Sequence, residues 1–467
     1  MKGNNLVSSK YCATLLPSTF GEYSLNVAEL LDIALQNNPS TKQTWAQARV
    51  SAAQYGQTMS TFYPQINATG SFVRQKGSFP TTGSFEGATG ANAATGSAAT
   101  LGSTVQSNSI STQTFYSSQG GPDVSLSYVL FDFGQRTASA MAAREALYYA
   151  DYTHNQEIQT ILQTVMDDYY TYIYQLAVLR ANEANLANAQ MSLDAANEQF
   201  ALGVSALGDV ASARTQFLQS RINLTSQRQN VENAFAQMAV DMGLPANIHF
   251  KVQSLPEEII ADPILASVDE LVEIAQQQRQ DLLGAQSNVL SNEALVLRAK
   301  RAVYPVLSTT LDTGHYWFQK GQQEENMHWI ASLSLSFPLF DGFYFKNGVR
   351  KAEANLDVAK AQLYQTELTM IQNVTTAHMG VRTSALNLAD SDEYLKSAEL
   401  EFNIALANYK AGTKTILDVL SAQSSLADAR SKKAQAQQNW FSSLASMAYA
   451  TGSLCATPNE EAPCQMQ

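Results

Sequence analysis

Histidines and carboxylates, the side chains that most often bind metals or transfer protons, are scattered along this chain. None of its five histidines has a second histidine or a cysteine at the spacing of a metal-binding motif; they are His154, His249, His315, His328 and His378. The sequence also contains no glycine-rich loop of the kind that binds phosphate groups. We therefore predict no catalytic residues, no metal site and no cofactor, and we expect the protein not to be an enzyme.

Two aspartates have equivalent positions shortly after a glycine. Asp209 follows Gly203, and Asp418 follows Gly412 at the same distance. Each aspartate is expected at or near the start of a helix, where free N–H groups and the helix dipole stabilise a carboxylate. Helix capping is thus one interpretation of both residues, and it is compatible with a functional role.

Composition excludes some classes of protein. The 467 residues carry a net charge of −12, which disfavours nucleic acid as a partner because nucleic acid requires a basic surface. No apolar run reaches the length of a transmembrane helix, and no signal peptide is visible. The three cysteines are too few for a disulfide framework, although Cys455 and Cys464 could either pair or remain free thiols.

An internal repeat organises almost the whole chain. The segment 27–34 matches 268–275 at an offset of 241, and the same offset relates Tyr63-Pro64 to Tyr304-Pro305. A second offset of 209 relates 130–132 to 339–341 and still holds between Gly243 and Gly452. Because a residue before proline is disfavoured in a helix, we expect helices to end at both Tyr-Pro pairs.

The first repeat is longer than the second by 32 residues, the difference between 241 and 209. The segment 77–121 is rich in Gly, Ala, Ser and Thr and contains no Lys or Arg, so we predict a long loop there between two strands. Its counterpart, 319–327, is predicted to be a short polar turn.

Each repeat is predicted to contain a helix, two strands, a long helix and a further helix. The first repeat, 24–243, has helix 24–63, strands 65–76 and 122–130, long helix 134–202 and helix 208–243. A linker, 244–266, leads to the second repeat, 267–452, with helix 267–304, strands 306–318 and 328–338, long helix 346–411 and helix 413–451. The remainder is an N-terminal extension, 1–23, and a tail, 453–467, that we expect to be disordered.

The strand patterns indicate a wall with one apolar and one polar face. Serines alternate with apolar residues in the last predicted strand, where Ser332, Ser334 and Ser336 lie between Ala331, Leu333, Leu335 and Phe337. This alternation is typical of a membrane barrel with a wet interior. Four strands cannot close such a barrel, so we expect a ring of identical chains, of which three would supply twelve strands.

The repeat, the Tyr-Pro helix ends and two motifs resemble the TolC family of outer membrane factors. The motifs are Pro338-Leu339-Phe340-Asp341-Gly342 and the segment 409–420, and the resemblance extends from about residue 24 to residue 452. It implies a mainly α fold with membrane β, in which a trimeric 12-stranded β-barrel is continued by a long α-helical barrel. It further implies a passive exit duct of a tripartite efflux pump or type I secretion system in the bacterial outer membrane, with a large periplasmic part.

The resemblance also implies partners and site residues. The partners are two further copies, outer membrane lipid, a periplasmic adaptor protein and an inner membrane transporter. A gated aperture would involve Asp209, Tyr409, Lys414, Asp418 and Ser421, with Tyr409 and Lys414 binding Asp209. Lys414 stands where arginine is frequent in the family, and Ser421 replaces an aspartate.

Two further sets of residues follow from the resemblance. The adaptor would contact two helix–helix turns, formed by Leu202, Gly203, Val204 and Ser205 and by Ala411, Gly412 and Thr413. The junctions of helices and strands would be Tyr63, Pro64, Asp132, Tyr304, Pro305, Pro338, Asp341 and Gly342. The alternative is a soluble coiled-coil scaffold protein, which the missing signal peptide favours and the repeated helix–strand–strand–helix unit does not explain.

Overall fold

A computed structural model describes residues 24–82, 110–248, 250–254, 267–318 and 325–455 of the chain. The expectations for the N-terminal extension, for most of the tail and for the centre of the predicted loop lie outside these residues. The chain divides into two compact units. The first comprises segments from 1–56, 139–296 and 350–467, and the second comprises 57–138 and 297–349.

The first unit is built mainly of helices. The first repeat contributes α1 (Val27–Asn37), α2 (Pro39–Met59), α3 (Gln135–Ala201) and α4 (Leu207–Asp241), and the second contributes α5 (Val268–Gln278), α6 (Gln280–Arg301), α7 (Tyr344–Lys410) and α8 (Ile416–Thr451). The helices α3 and α7 have 67 residues each, about 100 Å at 1.5 Å per residue. None of the described helices is both long enough and apolar enough to cross a membrane.

The two short helical segments are each broken, which corrects the predicted single helices 24–63 and 267–304. Between α1 and α2, Asn38 has ψ 129° because Pro39 disfavours a helical conformation in the residue before it. Between α5 and α6, Arg279 has ψ 122° although no proline follows. Its guanidinium binds Asp281, with Nε 3.0 Å from Oδ1, and Nη1 donates to the Ala450 carbonyl at 3.4 Å. These bonds stabilise a break that the sequence pattern does not reveal.

The linker between the repeats contributes to the core of the helical unit. A two-residue strand, β4 (Lys251–Val252), pairs in parallel with β1 (Ser24–Leu25). Beside it, the Tyr169 hydroxyl donates to the Gln253 carbonyl at 2.9 Å. The surrounding core contains Leu25, Leu30, Met238 and Phe250, so the linker is packed against α1, α3 and α4.

The second unit contains an antiparallel sheet in the order β2-β3-β5-β6. Its strands are β2 (Gln65–Thr82), β3 (Ile110–Phe131), β5 (Val306–Phe318) and β6 (Glu325–Ser336). The predicted loop 77–121 is therefore wrong at both ends, since β2 continues to Thr82 and β3 begins at Ile110. Backbone pairing accounts for this, because ladder hydrogen bonds do not depend on apolar side chains.

The sheet has one polar and one apolar face. Residues opposite each other in the register share a face, which places Asn67, Ser125, Ser127, Ser308, Thr310, Asp312, Ser332 and Ser334 on the polar face. The Ser308 and Ser334 hydroxyls are 2.8 Å apart, and those of Thr310 and Ser332 are 2.6 Å apart. The opposite face carries Ile66, Val124, Leu126, Leu311, Leu333 and Leu335.

Candidate functional site

The two long helices end in turns with the same hydrogen-bond pattern. After α3, Gly203 has φ +73°, its N–H donates to Phe200, and the N–H of Val204 donates to Gln199, both at 3.0 Å. After α7, Gly412 has φ +74°, and the corresponding bonds run from Gly412 to Tyr409 at 2.9 Å and from Thr413 to Asn408 at 3.0 Å. Both are Schellman turns, which explains the glycines structurally.

The two turns are joined to each other. The side-chain amide of Gln199, near the end of α3, donates to the backbone carbonyl of Lys410, at the end of α7, at 3.1 Å. Between the turns lies Tyr409, which is only 4% exposed. Its core neighbours include Ala213 of α4, Phe402 of α7 and Ile416 of α8. The end of each long helix and the start of the helix after it therefore form one packed cluster.

The structure brings the Tyr409 side chain near Asp209. Burial raises the pKa of Tyr409, the neighbouring Ser205 hydroxyl lowers it, and the Asp209 charge raises it. The Tyr409 hydroxyl has no hydrogen-bond partner among the described residues. Within one chain, Tyr409 and Asp209 thus lie close together without forming a hydrogen bond.

Within the single chain, Lys414 forms an ion pair with Asp418. Lys414 Nζ lies 3.6 Å from Asp418 Oδ1, four residues along the chain. Asp418 also caps α8, where its Oδ2 accepts from the Thr415 N–H at 3.0 Å and from the Thr415 hydroxyl at 2.8 Å. These bonds hold the pKa of Asp418 below its usual value, with the hydroxyl bond contributing most.

The start of α4 is arranged in the same way with weaker contacts. Asp209 Oδ2 accepts from the Ala206 N–H at 3.4 Å, where alanine replaces the hydroxyl residue present before α8. On α8, Ser421 is exposed and lies one turn after Asp418. The helix-capping interpretation of both aspartates therefore has direct geometric support.

Large apolar side chains are exposed around the first turn. Leu202, Val204 and Leu207 are each 66–70% exposed, as is Leu417 at the start of α8. Gly203, at φ +73°, also leaves open space, since no atom of the described residues lies within 4 Å of the position that a Cβ would take there. Such a surface is typical of a contact with another protein.

The junctions between strands and long helices are also related by the repeat. Asp132 Oδ2 accepts from the Arg136 N–H at 2.7 Å and from Arg136 Nε at 3.1 Å, and Asp341 Oδ2 accepts from the Phe345 N–H at 2.7 Å. Each junction has two consecutive residues with positive φ, which are Phe133 and Gly134 in one case and Gly342 and Phe343 in the other.

The proline positions lie at the ends of the elements around these junctions. A 3-10 turn ends at Phe62, directly before Tyr63 and Pro64, and α6 ends at Arg301, three residues before Tyr304 and Pro305. The Tyr304 N–H donates to the Arg301 carbonyl at 3.1 Å. Pro338 follows the end of β6 by two residues.

Two groups of titratable residues come together in the structure although their spacing in the sequence does not indicate it. On the sheet, ligand atoms of Asp123, Asp312 and His328 all lie within 4.8 Å of one another. In the helical unit, burial raises the pKa of Asp168 to about 8, with a further contribution from Asp241 at the end of α4. Both groups combine residues far apart in sequence, so only the fold reveals them.

Comparisons with known proteins agree with the architecture. A family model described as "Outer membrane efflux protein" matches residues 30–243 and 271–453. The chain is 25% identical to outer membrane protein TolC of Salmonella enteritidis over 348 residues, which covers 72% of this chain and 70% of that protein. It is also 25% identical to protein CyaE of Bordetella pertussis over 418 residues, covering 87% and 80%.

Solved structures show the same fold. The outer-membrane channel OprN has a TM-score of 0.77 at 17% identity, covering 91% of this chain and 90% of that chain. The outer membrane protein VceC of Vibrio cholerae has a TM-score of 0.74 at 18% identity, covering 91% and 96%. The predicted mainly α fold class is thereby confirmed.

The family match accounts for both halves of the chain. The first range falls within the first predicted repeat, and the second range ends one residue beyond the second predicted repeat. The linker 244–266 lies outside both ranges. The predicted exit duct for efflux or secretion in the outer membrane is confirmed, and the soluble scaffold is wrong. The chain belongs to the outer membrane efflux protein family.

Proposed function

We propose that three copies of the chain form a passive duct that opens and closes at the helix–helix turns. A periplasmic adaptor and an inner membrane transporter would act with it, and outer membrane lipid would surround the sheet. The sheet supports the association of copies, because β2 and β6 are its two edges among the described strands. Edge strands leave backbone N–H and C=O groups unpaired, and strands of neighbouring copies would form hydrogen bonds with them.

The gating proposal is carried by the position of Tyr409. This buried side chain lies where the ends of α3 and α7 meet the starts of α4 and α8, with its hydroxyl near Ser205 and Asp209. A shift of α4 relative to α7 must change this contact. Asp209, Tyr409, Lys414, Asp418 and Ser421 are therefore proposed to surround the aperture, with the Asp209–Tyr409 pair favouring its closed state.

Lys414 is proposed to bind Asp209, as the family resemblance implies, but in a neighbouring copy of the chain. Its ammonium group pairs with Asp418, four residues further along the chain, and both side chains are more than one-third exposed. Exposed ion pairs contribute little to stability. Lys414 could thus bind Asp209 of a neighbouring copy without loss of a strong contact.

The turns themselves are proposed to contact the adaptor. The first turn exposes Leu202 and Val204, and the second consists of Ala411, Gly412 and Thr413. Apolar side chains fixed on a hydrogen-bonded turn offer a rigid docking surface with a small ordering cost. The junction residues Tyr63, Pro64, Asp132, Tyr304, Pro305, Pro338, Asp341 and Gly342 are proposed to direct the chain from helix to strand and back.

Single-channel conductance in planar bilayers tests the gate. We expect Asp209→Ala and Tyr409→Phe to raise the conductance of the purified protein, because each removes part of the contact between α4 and α7. Asp194→Ala is the matched control: it removes an exposed carboxylate from α3 two turns before the end of that helix, where Asp194 accepts a hydrogen bond from Gln190. Unchanged conductance in Asp209→Ala, or an equal rise in the control, would overturn the gating role of Asp209.

A further inference from the structure

Three strands place metal-binding side chains around one glycine on the polar face of the sheet. In the register, Gly314 of β5 lies opposite Asp123 of β3 on one side and opposite His328 of β6 on the other. Asp312 precedes Gly314 by two residues and therefore lies on the same face. The three side chains thus come from three adjacent strands.

The glycine makes this convergence possible. A Cβ added at Gly314 would lie 2.5 Å from Asp123 Oδ1 and 2.7 Å from His328 Cε1. Both distances are shorter than van der Waals contact, so the Asp123 and His328 side chains occupy the space that a larger residue would fill. His328 Nε2 is 3.7 Å from Asp123 Oδ1, beyond hydrogen-bond distance.

The arrangement leaves a buried carboxylate oxygen unsatisfied. Asp123 Oδ1 is inaccessible to solvent and has no hydrogen-bond partner among the described residues. A ligand oxygen of Asp312 and a ligand nitrogen of His328 both lie within 4.8 Å of the Asp123 ligand oxygen. Two carboxylates at this distance repel each other unless a proton or a cation lies between them.

The donor set determines which cation fits. Two carboxylate oxygens and one imidazole nitrogen suit divalent first-row transition metals, whereas Mg²⁺ and Ca²⁺ prefer ligand sets made only of oxygen. Three protein ligands leave at least one coordination position for water. The side chains of Asp123 and His328 are 18% and 25% exposed, so an ion could enter from the polar face.

We propose that Asp123, Asp312 and His328 bind one divalent transition-metal ion per chain on the polar face of the sheet. The ion would neutralise the carboxylates and connect β3, β5 and β6. Binding itself does not depend on the gating proposal. Its location inside the duct does rest on the proposed function, in which the polar face lines the water-filled passage.

Zn²⁺ binding to the purified full chain in detergent tests the site, measured by titration calorimetry after chelator treatment at neutral pH. We expect one His328-dependent ion per chain. Loss of a supporting residue alone lowers metal affinity about 10–100-fold, so His328→Asn and Asp312→Asn should each weaken binding at least about tenfold. Gly314→Ala should also weaken it, although it removes no ligand, because the new Cβ displaces two of them.

His315→Asn is the matched control. His315 follows Gly314 in β5, so its side chain lies on the apolar face of the sheet, and it pairs with Met327 of β6. The control should bind Zn²⁺ as the parent does, and Zn²⁺ should raise the unfolding temperature of the parent and the control but not of His328→Asn.

Three results would overturn the metal site: no Zn²⁺ binding by the parent, equal binding by His328→Asn, or equal loss in His315→Asn. If the parent does not bind Zn²⁺, the close carboxylates of Asp123 and Asp312 must instead share a proton. A protein that fails to bind Zn²⁺ but conducts in bilayers would contradict the metal site alone, whereas one that binds Zn²⁺ without conducting would contradict the duct alone.

Discussion

Gly243 lies directly against the backbone of Asn37. A Cβ on Gly243 would be 2.7 Å from the Asn37 carbonyl carbon, and the residue has φ +75°. In the second repeat, a Cβ on Gly452 would be 3.0 Å from the carbonyl carbon of Gln278, at φ +77°. The last glycine of each repeat therefore contacts the break in its first helical segment.

Gly243→Ala should destabilise the protein more than Gly203→Ala. Both glycines have φ near +75°, where a Cβ costs roughly 1–2 kcal/mol, but no atom in the part of the chain that the structure describes lies within 4 Å of a Cβ at Gly203. Gly243→Ala adds a clash with the Asn37 carbonyl, which the backbone must relieve by moving. Unfolding temperatures of the two variants provide the measurement, and equal losses would show that the contact with Asn37 carries no cost.

Asp132→Ala should destabilise the second unit more than Asp341→Ala. Loss of a helix-capping side chain costs about 0.5–2 kcal/mol, and Asp341 accepts one backbone N–H at the start of its long helix. Asp132 is only 8% exposed and also binds the Arg136 guanidinium, which would lose its counter-ion. Denaturant unfolding compares the two, and a larger loss for Asp341→Ala would contradict this assignment.

Asp168 should make stability fall as the pH rises. Its pKa is about 8 in the folded protein, above the value near 3.9 of an unfolded aspartate. The folded state thus binds the additional proton between about pH 4 and pH 8, and its stability decreases across that window. Asp168→Asn should flatten this dependence and raise the unfolding temperature near pH 9.

The exposed Asp194 supplies the control for this pH dependence, since Asp194→Asn removes the same charge from the same helix. Unfolding temperatures at pH values below and above the window should differ less in Asp168→Asn than in the parent. An unaltered difference in Asp168→Asn would show that burial of Asp168 does not limit stability at high pH.

Asp418 should favour cations and remain charged in mild acid. A carboxylate at a narrow aperture attracts cations, so Asp418→Asn should lower the cation-to-anion permeability ratio in bilayers. The Thr415 hydroxyl bond lowers the pKa of Asp418, so the selectivity should persist as the pH falls through the ordinary range of aspartate. Thr415→Val removes that bond and should shift the loss of selectivity to higher pH.

Asp428→Asn serves as the control for selectivity, because Asp428 lies further along α8 and pairs with Lys432 at 2.8 Å. An equal change of permeability ratio in both variants would place Asp418 away from the aperture.

Periodic features were predictable from the sequence. Serine and leucine alternate along β6, and this period of two indicates which residues share a face before any coordinates are known. The absence of Gly and Pro between Gln135 and Leu202 indicates one uninterrupted helix, and α3 spans Gln135–Ala201. The two offsets likewise relate Gly203 to Gly412, whose turns have the same hydrogen bonds.

Features that depend on distant residues were not predictable. The break at Arg279 depends on a bond to Ala450, 171 residues away. The Asp123–Asp312–His328 group requires the register of three strands, since a shift of one residue would move any member to the opposite face.

The equal lengths of α3 and α7 allow the ends of the two helices to bond to each other. Each helix has 67 residues, and the Gln199 side chain bonds to the Lys410 carbonyl where both end. Deleting one residue from α3 alone would shift its end by 1.5 Å and rotate it by about 100°, which separates this pair. A change in the length of α3 alone should therefore break the bond between Gln199 and Lys410, unless α7 changes by the same number of residues.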